Sequence, residues 1–305
     1  MRTIATILSL IFCYTLALCQ ENWGTPLAFR ITASSSYFLC DLGGKDAVGT
    51  NDISDLNLEQ TRYAFGLGVQ FHSGPFSIGT NAFYARLAAD DRLTKAGRSI
   101  RRLHSITDVL EASVNLEYCI PRNIPVVKNF YFNVGLGVMA FSPMARYEGE
   151  LIKLRPLGTE GQNYLPGKSR YSHFAPVLPF GFGYKIRFRG GSSLSIDMNM
   201  RKSFTDYLDD VSTSYADPIR IEEISGPEAA YLSDPSLEGM GVGNQRGDSK
   251  DNDQYFLIGF RYEFPLRMSR SYKQNTSCSF EGKRYQQLPI KPNSKHKNKR
   301  FRLFK

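Results

Sequence analysis

Histidine, serine and cysteine, the residue types that most often do chemistry, are scattered in this sequence. No two histidines have the spacing of metal ligands, and we place them in a turn, two loops and the C-terminal tail: His72, His104, His173 and His296. The sequence has no serine nucleophile elbow, no phosphate-binding glycine loop and no CxxC motif. We therefore predict a protein that is not an enzyme, with no catalytic residues, no cofactor and no bound metal.

Two acidic segments are the remaining candidates for chemistry. The segment Asp206–Asp210 (DYLDD) could bind calcium, but it lacks the ligand rhythm and the central glycine of an EF-hand loop. The interpretation we favour is that its carboxylates brace a loop. Asp90-Asp91-Arg92 is interpreted in the same way, as an ion-pair cluster in a loop rather than an acid/base pair.

The positive charge of the chain is concentrated at its C-terminal end. The 305 residues include 38 Lys and Arg against 29 Asp and Glu, a net charge of +9. Residues 267–305 contain twelve of the cations and one anion, a charge of +11, which leaves −2 for the rest of the chain. A basic face that binds nucleic acid is therefore excluded. We predict that residues 267–305 form a disordered basic tail, either an arm for an acidic partner or a solvated extension.

The N-terminal residues match the plan of a secretory signal peptide. Arg2 is followed by an apolar run from Ile4 to Leu18, and we predict cleavage near Cys19, which removes residues 1–19. Acylation of Cys19 is an alternative, but the bulky Leu18 fits that processing poorly. No later apolar stretch reaches the roughly 18 residues of a spanning helix, so the exported protein is either soluble or a membrane β-barrel.

Eight segments alternate between apolar residues and polar or small ones, which is the period of a β-strand with one apolar face. In the fifth segment, Phe132, Val134 and Leu136 alternate with Asn133 and Gly135. The eight segments are Leu27–Phe38, Tyr63–Phe71, Phe76–Ala88, Leu110–Tyr118, Phe130–Phe141, Leu178–Phe188, Leu194–Met200 and Tyr255–Phe264. Long connections follow the odd-numbered segments and short ones follow the even-numbered, which is typical of an outer-membrane barrel.

The polar face of these segments carries acids and bases in similar numbers, which favours a barrel over a sandwich. In a narrow eight-stranded barrel such residues line the interior and pair with one another, while lipid covers the apolar face. The predicted interior charges are Arg30, Glu111, Glu117, Lys185, Arg187, Asp197, Arg201, Arg261 and Glu263. We predict an all-β fold, an eight-stranded antiparallel outer-membrane β-barrel over residues 20–266, with long extracellular loops and short periplasmic turns. An exported β-sandwich is the alternative fold.

The three cysteines that remain after cleavage do not form a disulfide framework, because their number is odd. Cys40 follows the first strand and Cys119 ends the fourth, at the opposite end of the barrel. We expect these two thiols not to pair, since a disulfide needs Cα atoms within about 7 Å. A bond between Cys119 and Cys278 stays open.

Six motifs in the predicted loops carry a resemblance to a known family. They are Asp41-Leu42-Gly43-Gly44, Asp90-Asp91-Arg92, Leu154-Arg155-Pro156-Leu157-Gly158-Thr159-Glu160-Gly161-Gln162, Phe204-Thr205-Asp206-Tyr207-Leu208-Asp209-Asp210-Val211-Ser212, Gln245-Arg246-Gly247-Asp248 and Asn252-Asp253. In this order they resemble the Bacteroidota outer-membrane β-barrel family that includes PorG of the type IX secretion system. The resemblance extends from about Leu27 to Leu266.

The resemblance implies an integral barrel of the cell outer membrane that is a structural, anchoring component of type IX protein secretion. Its implied partners are outer-membrane lipid and the periplasmic ring of PorK and PorN, with no nucleic acid and no small-molecule substrate. The long basic tail departs from the family pattern. A surface-exposed adhesion or ligand-binding barrel is the alternative function, and a barrel hydrolase is a third that lacks a nucleophile with a base.

Overall fold

The computed structural model describes residues 27–43, 58–94, 97–120, 127, 129–188, 191–236 and 239–266. The predicted signal peptide (1–19), the basic tail (267–305), Gly44 and Cys278 lie outside the described residues. Within the described ranges, no helix is long and apolar enough to cross a membrane.

Eight long strands form the wall of the molecule. They are β1 (Leu27–Leu39), β2 (Arg62–Ser73), β3 (Phe76–Asp90), β4 (His104–Cys119), β5 (Phe130–Tyr147), β7 (Phe174–Arg187), β8 (Ser193–Ser203) and β9 (Gln254–Pro265), while the short β6 (Glu150–Lys153) pairs only with the end of β5. Every predicted segment forms a strand, because alternating side chains suit a sheet whose two faces meet different environments.

The strand pairing closes the sheet on itself. Each wall strand pairs antiparallel with the next wall strand along the chain, and β1 pairs with β9 from Ala28↔Pro265 to Leu39↔Gln254. A closed sheet has no edge, so every wall strand has hydrogen-bonding partners on both sides. The predicted eight-stranded antiparallel barrel is confirmed, and the β-sandwich alternative is wrong.

The two rims of the barrel differ. The turn rim holds Leu27, Pro265 and the tight β2–β3 turn, where Gly74 has φ +58°, a conformation that glycine adopts without strain. The loop rim holds the long connections that follow β1, β3, β5 and β8. Cys40 lies at the loop rim and Cys119 at the turn rim, and these two thiols do not pair with each other, as predicted.

The outer face of the wall is apolar, as the alternation predicts. Leu136 is 70% exposed, and Leu110, Val138 and Phe260 are exposed beside polar neighbours that face inward. One outward residue differs, because Phe256 is only 8% exposed. Large side chains lie directly opposite it on both neighbouring strands, Tyr37 on β1 and Met200 on β8.

Most wall strands are longer than the sequence predicts, and β4 and β5 differ the most. β4 begins at His104 rather than Leu110, and β5 continues to Tyr147 rather than ending at Phe141. Pairing with β3 up to Asp90↔His104 supplies the backbone hydrogen bonds that a polar sequence alone does not specify. His104 and His72 therefore lie on strands, and their predicted positions in a loop and a turn are wrong.

The β8–β9 connection contains two short helices that the sequence analysis did not predict. These are α1 (Pro218–Ser225) and α2 (Pro227–Ser233), joined at Gly226, whose φ of +93° is easy only for glycine. Asp217 caps α1 by accepting a hydrogen bond from the backbone of Ile219 at 3.0 Å. The helices pack on the β5–β7 connection in a small apolar cluster that contains Leu154, Leu157, Ala216, Ile221, Ala229 and Leu232.

The interior of the barrel has two layers. Near the loop rim it is apolar, with Leu87, Val109, Met139 and Tyr255 buried together. Leu208, from the β8–β9 connection, is completely buried in the same cluster, so this loop is anchored in the barrel mouth. The layer towards the turn rim is charged. The apolar layer thus separates the interior charges from the loops above.

Candidate functional site

We call the buried charged residues inside the barrel the interior charge network. Glu117 contacts two cations, Lys185 at 2.5 Å and Arg261 at 2.9 Å. Lys185 also contacts Glu263 at 3.2 Å, and Arg261 contacts Asp197 at 3.2 Å. Five charges from four strands are therefore joined, and this is the pairing that the sequence predicts for a filled interior.

An aromatic ring lies within this network. The Tyr131 ring has Lys185 Nζ 5.1 Å and the Arg261 guanidinium 4.8 Å from its centroid, both within cation–π range. A Cβ atom on Gly183 would be 2.2 Å from the Tyr131 hydroxyl, so only glycine fits there. The interior glycine of β7 therefore makes room for a long side chain of β5.

A second pair lies closer to the loop rim. Arg201 Nε is 3.4 Å from Glu111 Oε2, and the Tyr255 hydroxyl donates to the same oxygen at 2.8 Å. The Arg201 guanidinium also lies 4.8 Å from the centroid of the Phe83 ring. This pair connects the charged layer to the apolar layer above it.

Two of the predicted interior charges behave differently from the prediction. Arg187 is only half-buried at the turn rim, where it donates to Asn129 and to Cys119 Sγ, both at 3.3 Å. Arg30 is buried, but its Nε and Nη2 have no hydrogen-bond partner. Arg30 lies where the network leaves space, since it lines a cavity of about 30 Å³, enough for one or two water molecules.

A serine–histidine contact that the sequence analysis missed lies near the turn rim. His72 Nδ1 and Ser77 Oγ are 2.8 Å apart on directly paired positions of β2 and β3, and His72 Nε2 is 3.7 Å from Glu263. The last distance is too long for a hydrogen bond. Ser77 is 4% exposed, so a substrate has no approach to its hydroxyl. The contact braces adjacent strands.

The outer loop cluster is the set of buried polar residues above the barrel mouth, and Glu160 is its centre. The Glu160 carboxylate is completely buried and accepts from the backbone amides of Ser212 at 2.9 Å and Thr213 at 3.0 Å. Arg246 Nη1 lies 3.2 Å from it, and the Tyr207 hydroxyl donates at 3.5 Å. One carboxylate of the β5–β7 connection therefore holds the β8–β9 connection at several points.

Asp210 makes a second link between the same two connections. Its carboxylate accepts from the hydroxyls of Thr159 and Tyr171, the latter at 2.6 Å. Burial raises the pKa of Asp210 to about 6 and holds the pKa of Tyr171 well above 10. The Tyr171 ring stacks on Tyr207 with centroids 4.6 Å apart, which continues the link through aromatic packing.

The third link joins the first two long loops to the last one. Asp91 is buried and accepts from the backbone of Gly43 at 3.0 Å and from Arg101, whose Nε lies 2.9 Å from Asp91 Oδ2. Arg101 also donates to the backbone carbonyls of Arg246 at 2.7 Å and Asp41 at 3.0 Å. The sequence analysis missed Arg101, because nothing in the local pattern distinguishes it from the other loop arginines.

The remaining predicted loop residues lie around these links. Asp90 and Arg92 form the predicted surface ion pair, at 2.6 Å. Gln162 accepts from the backbone of Glu160 at 2.9 Å, and Thr205 accepts from the backbone of Tyr207 at 3.3 Å. Gly158 and Gly161 adopt positive φ in the tight turns beside Thr159 and Glu160, and Pro156 precedes the buried Leu157.

A group of buried acids in the same region has no adjacent cation of its own. Asp209 and Asp253 are buried beside Cys40, and the buried Asp206 repels both of these acids. Burial raises the pKa of Asp206 to about 9. Burial, followed by repulsion from neighbouring aspartates, holds the pKa values of Asp209 and Asp253 well above their usual range. All three acids lie in the loop motifs named from the sequence, but no pattern there predicts that Asp209 and Asp253 meet Cys40.

Comparisons with known proteins give likeness of shape only. No family model and no curated protein matches the chain. The chain is similar to Ail, the attachment invasion locus protein of Yersinia pestis, at 9% identity and a TM-score of 0.37 over 79% of this chain and 99% of that one.

Two further solved structures are similar in the same way. Neisserial surface protein A has 4% identity and a TM-score of 0.35, over 79% of this chain and 97% of that one. The outer membrane protein OprG from Pseudomonas aeruginosa has 12% identity and a TM-score of 0.33, over 79% and 97%. At such identities and scores the likeness carries no argument, and the barrel architecture rests on the strand pairing.

Proposed function

We propose that this chain is an integral outer-membrane β-barrel with a structural rather than an enzymatic role. The observation that carries the proposal is the apolar outer face of a closed barrel with a charged interior. Leu136, Leu110 and Phe132 are more than half exposed around the wall. Water would disfavour an apolar surface that surrounds the whole barrel, whereas lipid would solvate it.

Aromatic residues near the turn rim support the same proposal. On the outer face, Phe76 lies 5.1 Å from Tyr118, and Phe130 lies 5.2 Å from Tyr184, as distances between ring centroids. Aromatic girdles of this kind mark the membrane–water interfaces of outer-membrane barrels. The interior charge network fills the barrel, so we propose no channel function.

The narrower proposal is a role in type IX secretion, as an anchor for the periplasmic ring of PorK and PorN. It is supported by the six loop motifs of the family resemblance. Residues of all six motifs take part in the outer loop cluster and the acids beside it, among them Asp41, Asp91, Glu160, Asp210, Arg246 and Asp253. Residues from distant parts of the sequence therefore build one local structure. This is expected if the six motifs belong to a family with a shared loop architecture.

Membrane location is tested first. The full chain should fractionate with the outer membrane, and its unheated form should migrate faster on a gel than its boiled form, because such barrels resist unfolding by detergent. Recovery in the soluble periplasm would refute the barrel proposal at its first step, before any question of partners.

The secretion role needs a separate test. Deletion of the gene should block export of cargo that carries the C-terminal secretion domain, and the full chain should co-purify with the ring proteins. Truncation after Leu266 should leave an inserted barrel but weaken that co-purification. High salt should weaken it in the same way for the full chain, because charge attraction is screened within about 8–10 Å. Normal export of cargo in the deletion strain would refute the proposed role in secretion.

A surface-binding function is the second candidate, and one observation favours it. The lobe formed by α1 and α2 exposes apolar side chains at the loop rim: Ile219, at 68%, with Ile224, Tyr231 and Val242. Replacement of both Ile219 and Ile224 by Ser should abolish adhesion or ligand binding if this candidate is correct. The same double variant should leave cargo export unchanged.

A further inference from the structure

Three potential metal ligands from distant parts of the chain meet at the loop rim. Cys40 follows β1, Asp209 lies in the β8–β9 connection, and Asp253 immediately precedes β9. The Cys40 sulfur and one carboxylate oxygen of each aspartate all lie within 4.8 Å of one another. All three residues are buried, so the group is not a chance cluster of surface acids.

The two carboxylates are oriented by the backbone of the loop between them. Asp209 Oδ1 accepts from the amide of Val211 at 2.9 Å, and Asp253 Oδ2 accepts from the amide of Leu208 at 2.8 Å. Asp209 is 1% exposed, and its Oδ2 has no hydrogen-bond partner. A buried carboxylate oxygen without a donor is costly, and a bound cation is the group that most directly satisfies it.

The surrounding charge is negative. Asp206 is buried close enough to repel Asp209 and Asp253, with Ser212 as its side-chain hydrogen-bond partner. Asp41 also repels Asp209 and Asp253. Arg246 is the nearest described cation to act on Asp209, but it contacts Glu160 at 3.2 Å and donates to the carbonyl of Asp210 at 2.6 Å. The charge of the acids is therefore not balanced locally.

We propose that Cys40, Asp209 and Asp253 bind a divalent transition metal ion, with Zn²⁺ as the best fit. A thiolate is a soft ligand that suits zinc, whereas Ca²⁺ takes six to eight oxygen ligands and does not favour sulfur. Zinc is bound in proteins by thiolate and carboxylate together, in tetrahedral geometry. A water molecule would complete the four ligands.

The geometry requires only a small contraction. Tetrahedral zinc with bond lengths of about 2.3 Å to sulfur and about 2.1 Å to oxygen places its ligand atoms about 3.4–3.6 Å apart. The ligand atoms lie within 4.8 Å here, so a movement of about 1 Å brings them into position. The metal would join the end of β1, the β8–β9 connection and the start of β9.

The test uses the full chain, purified as a folded barrel and treated with a chelator. Titration with Zn²⁺ should show one ion bound per chain, and Co²⁺ should give the near-ultraviolet band of sulfur-to-cobalt charge transfer. Cys40→Ser should abolish that band and weaken Zn²⁺ binding at least about tenfold, and Asp209→Asn should weaken it similarly. The faster gel migration of unheated protein reports that each variant still forms a barrel.

Two cysteine variants are matched controls. Cys119→Ser removes the other described buried thiol, at the opposite rim, and Cys278→Ser removes the thiol of the tail. Both should keep the cobalt band and the affinity for Zn²⁺. The proposal is overturned if Cys40→Ser binds Zn²⁺ as tightly as the unmodified chain, if the folded chain binds no Zn²⁺, or if Ca²⁺ competes at equal concentration.

Discussion

The interior charge network and the outer loop cluster are both buried and both rich in carboxylates, but they balance charge differently. In the barrel, four buried cations (Arg30, Lys185, Arg201 and Arg261) face four buried acids (Glu111, Glu117, Asp197 and Glu263). Among the described residues at the loop rim, two buried arginines (Arg101 and Arg246) face six buried acids (Asp91, Glu160, Asp206, Asp209, Asp210 and Asp253).

The difference indicates what each region requires. In the barrel, direct ion pairs offset most of the cost of removing the charges from water, and Arg30 beside the small cavity is the exception. In the loop region, hydrogen bonds from backbone amides and hydroxyls offset only part of the cost of burying the acids. Its remaining acids must either hold protons or share a cation. We therefore expect the barrel to be insensitive to pH and metal, and the loops to depend on both.

The largest expected effect on stability follows from removing one partner of the interior charge network. Arg261→Met should lower the free energy of unfolding by about 3–5 kcal/mol, because Glu117 and Asp197 would remain buried without their shared cation. Urea titration of the folded band on unheated gels measures this. Arg187→Met, at the half-buried rim position, is the control and should cost much less. Equal losses would show that the network is not the source of stability.

The next largest effect is expected in the barrel wall, whose apolar outer face leaves the charged residues to pair in the interior. Leu136→Arg should cost roughly 2–4 kcal/mol, because it places a charge on the lipid face near mid-strand. An inward residue of the same strand offers a comparison, since Asn133→Ser acts only through packing and hydrogen bonding. Equal tolerance of both substitutions in lipid vesicles would mean that the outer face does not contact lipid.

A smaller and local effect is expected from the centre of the outer loop cluster. Glu160→Gln should destabilise the loop packing by about 1–3 kcal/mol, because the amide cannot replace the charged acceptor of Arg246 and two backbone amides. Limited proteolysis should then cut the β5–β7 or β8–β9 connection while the barrel stays folded. Asp90→Asn, in the exposed pair with Arg92, should cost about 0–1 kcal/mol and leave proteolysis unchanged.

The most local expected effect is a gradual dependence of loop stability on pH in metal-depleted protein. The folded pKa of Asp206, about 9, is raised by burial above its value of 3.8 in the unfolded chain. The folded state therefore binds more protons between these values, and its stability falls as pH rises from about 4 to about 9. Hydrogen exchange of the β8–β9 connection measures this fall. Asp206→Asn should reduce the slope, and a slope of opposite sign would contradict the assignment.

The sequence predicts the wall well, because each strand position is decided locally by whether its side chain meets the outer face or the interior. The face of Leu136 and the pairing of Glu117 both follow from alternation alone. The extension of β4 to His104 does not, since it depends on register with β3. The helices α1 and α2 were also missed, because their apolar residues pack mainly on another loop and on the end of β5, which no local pattern indicates.

The candidate sites at the loop rim show the limit of prediction more clearly. The contact of Cys40 with Asp253 joins residues more than two hundred positions apart, and only closure of the barrel brings them together. The same is true of the contacts that Arg101 makes with Arg246. No periodicity or spacing in the sequence encodes such a meeting. The sequence shows that Asp206–Asp210 is acidic, but it does not show that Asp209 lies beside Cys40 and Asp253.

The pairing of β1 with β9 has a consequence for the order in which the molecule is made. Ser35 and Ile258 are hydrogen-bonded across 223 positions, so the last strand must be synthesised and delivered before the first can complete its bonds. Closure is the most non-local step of assembly and is expected to be slow. Until β1 and β9 pair, each has an edge of unpaired backbone groups to which another strand can bind. The seam between them is thus the point at which a membrane insertion machine would control the fate of the chain.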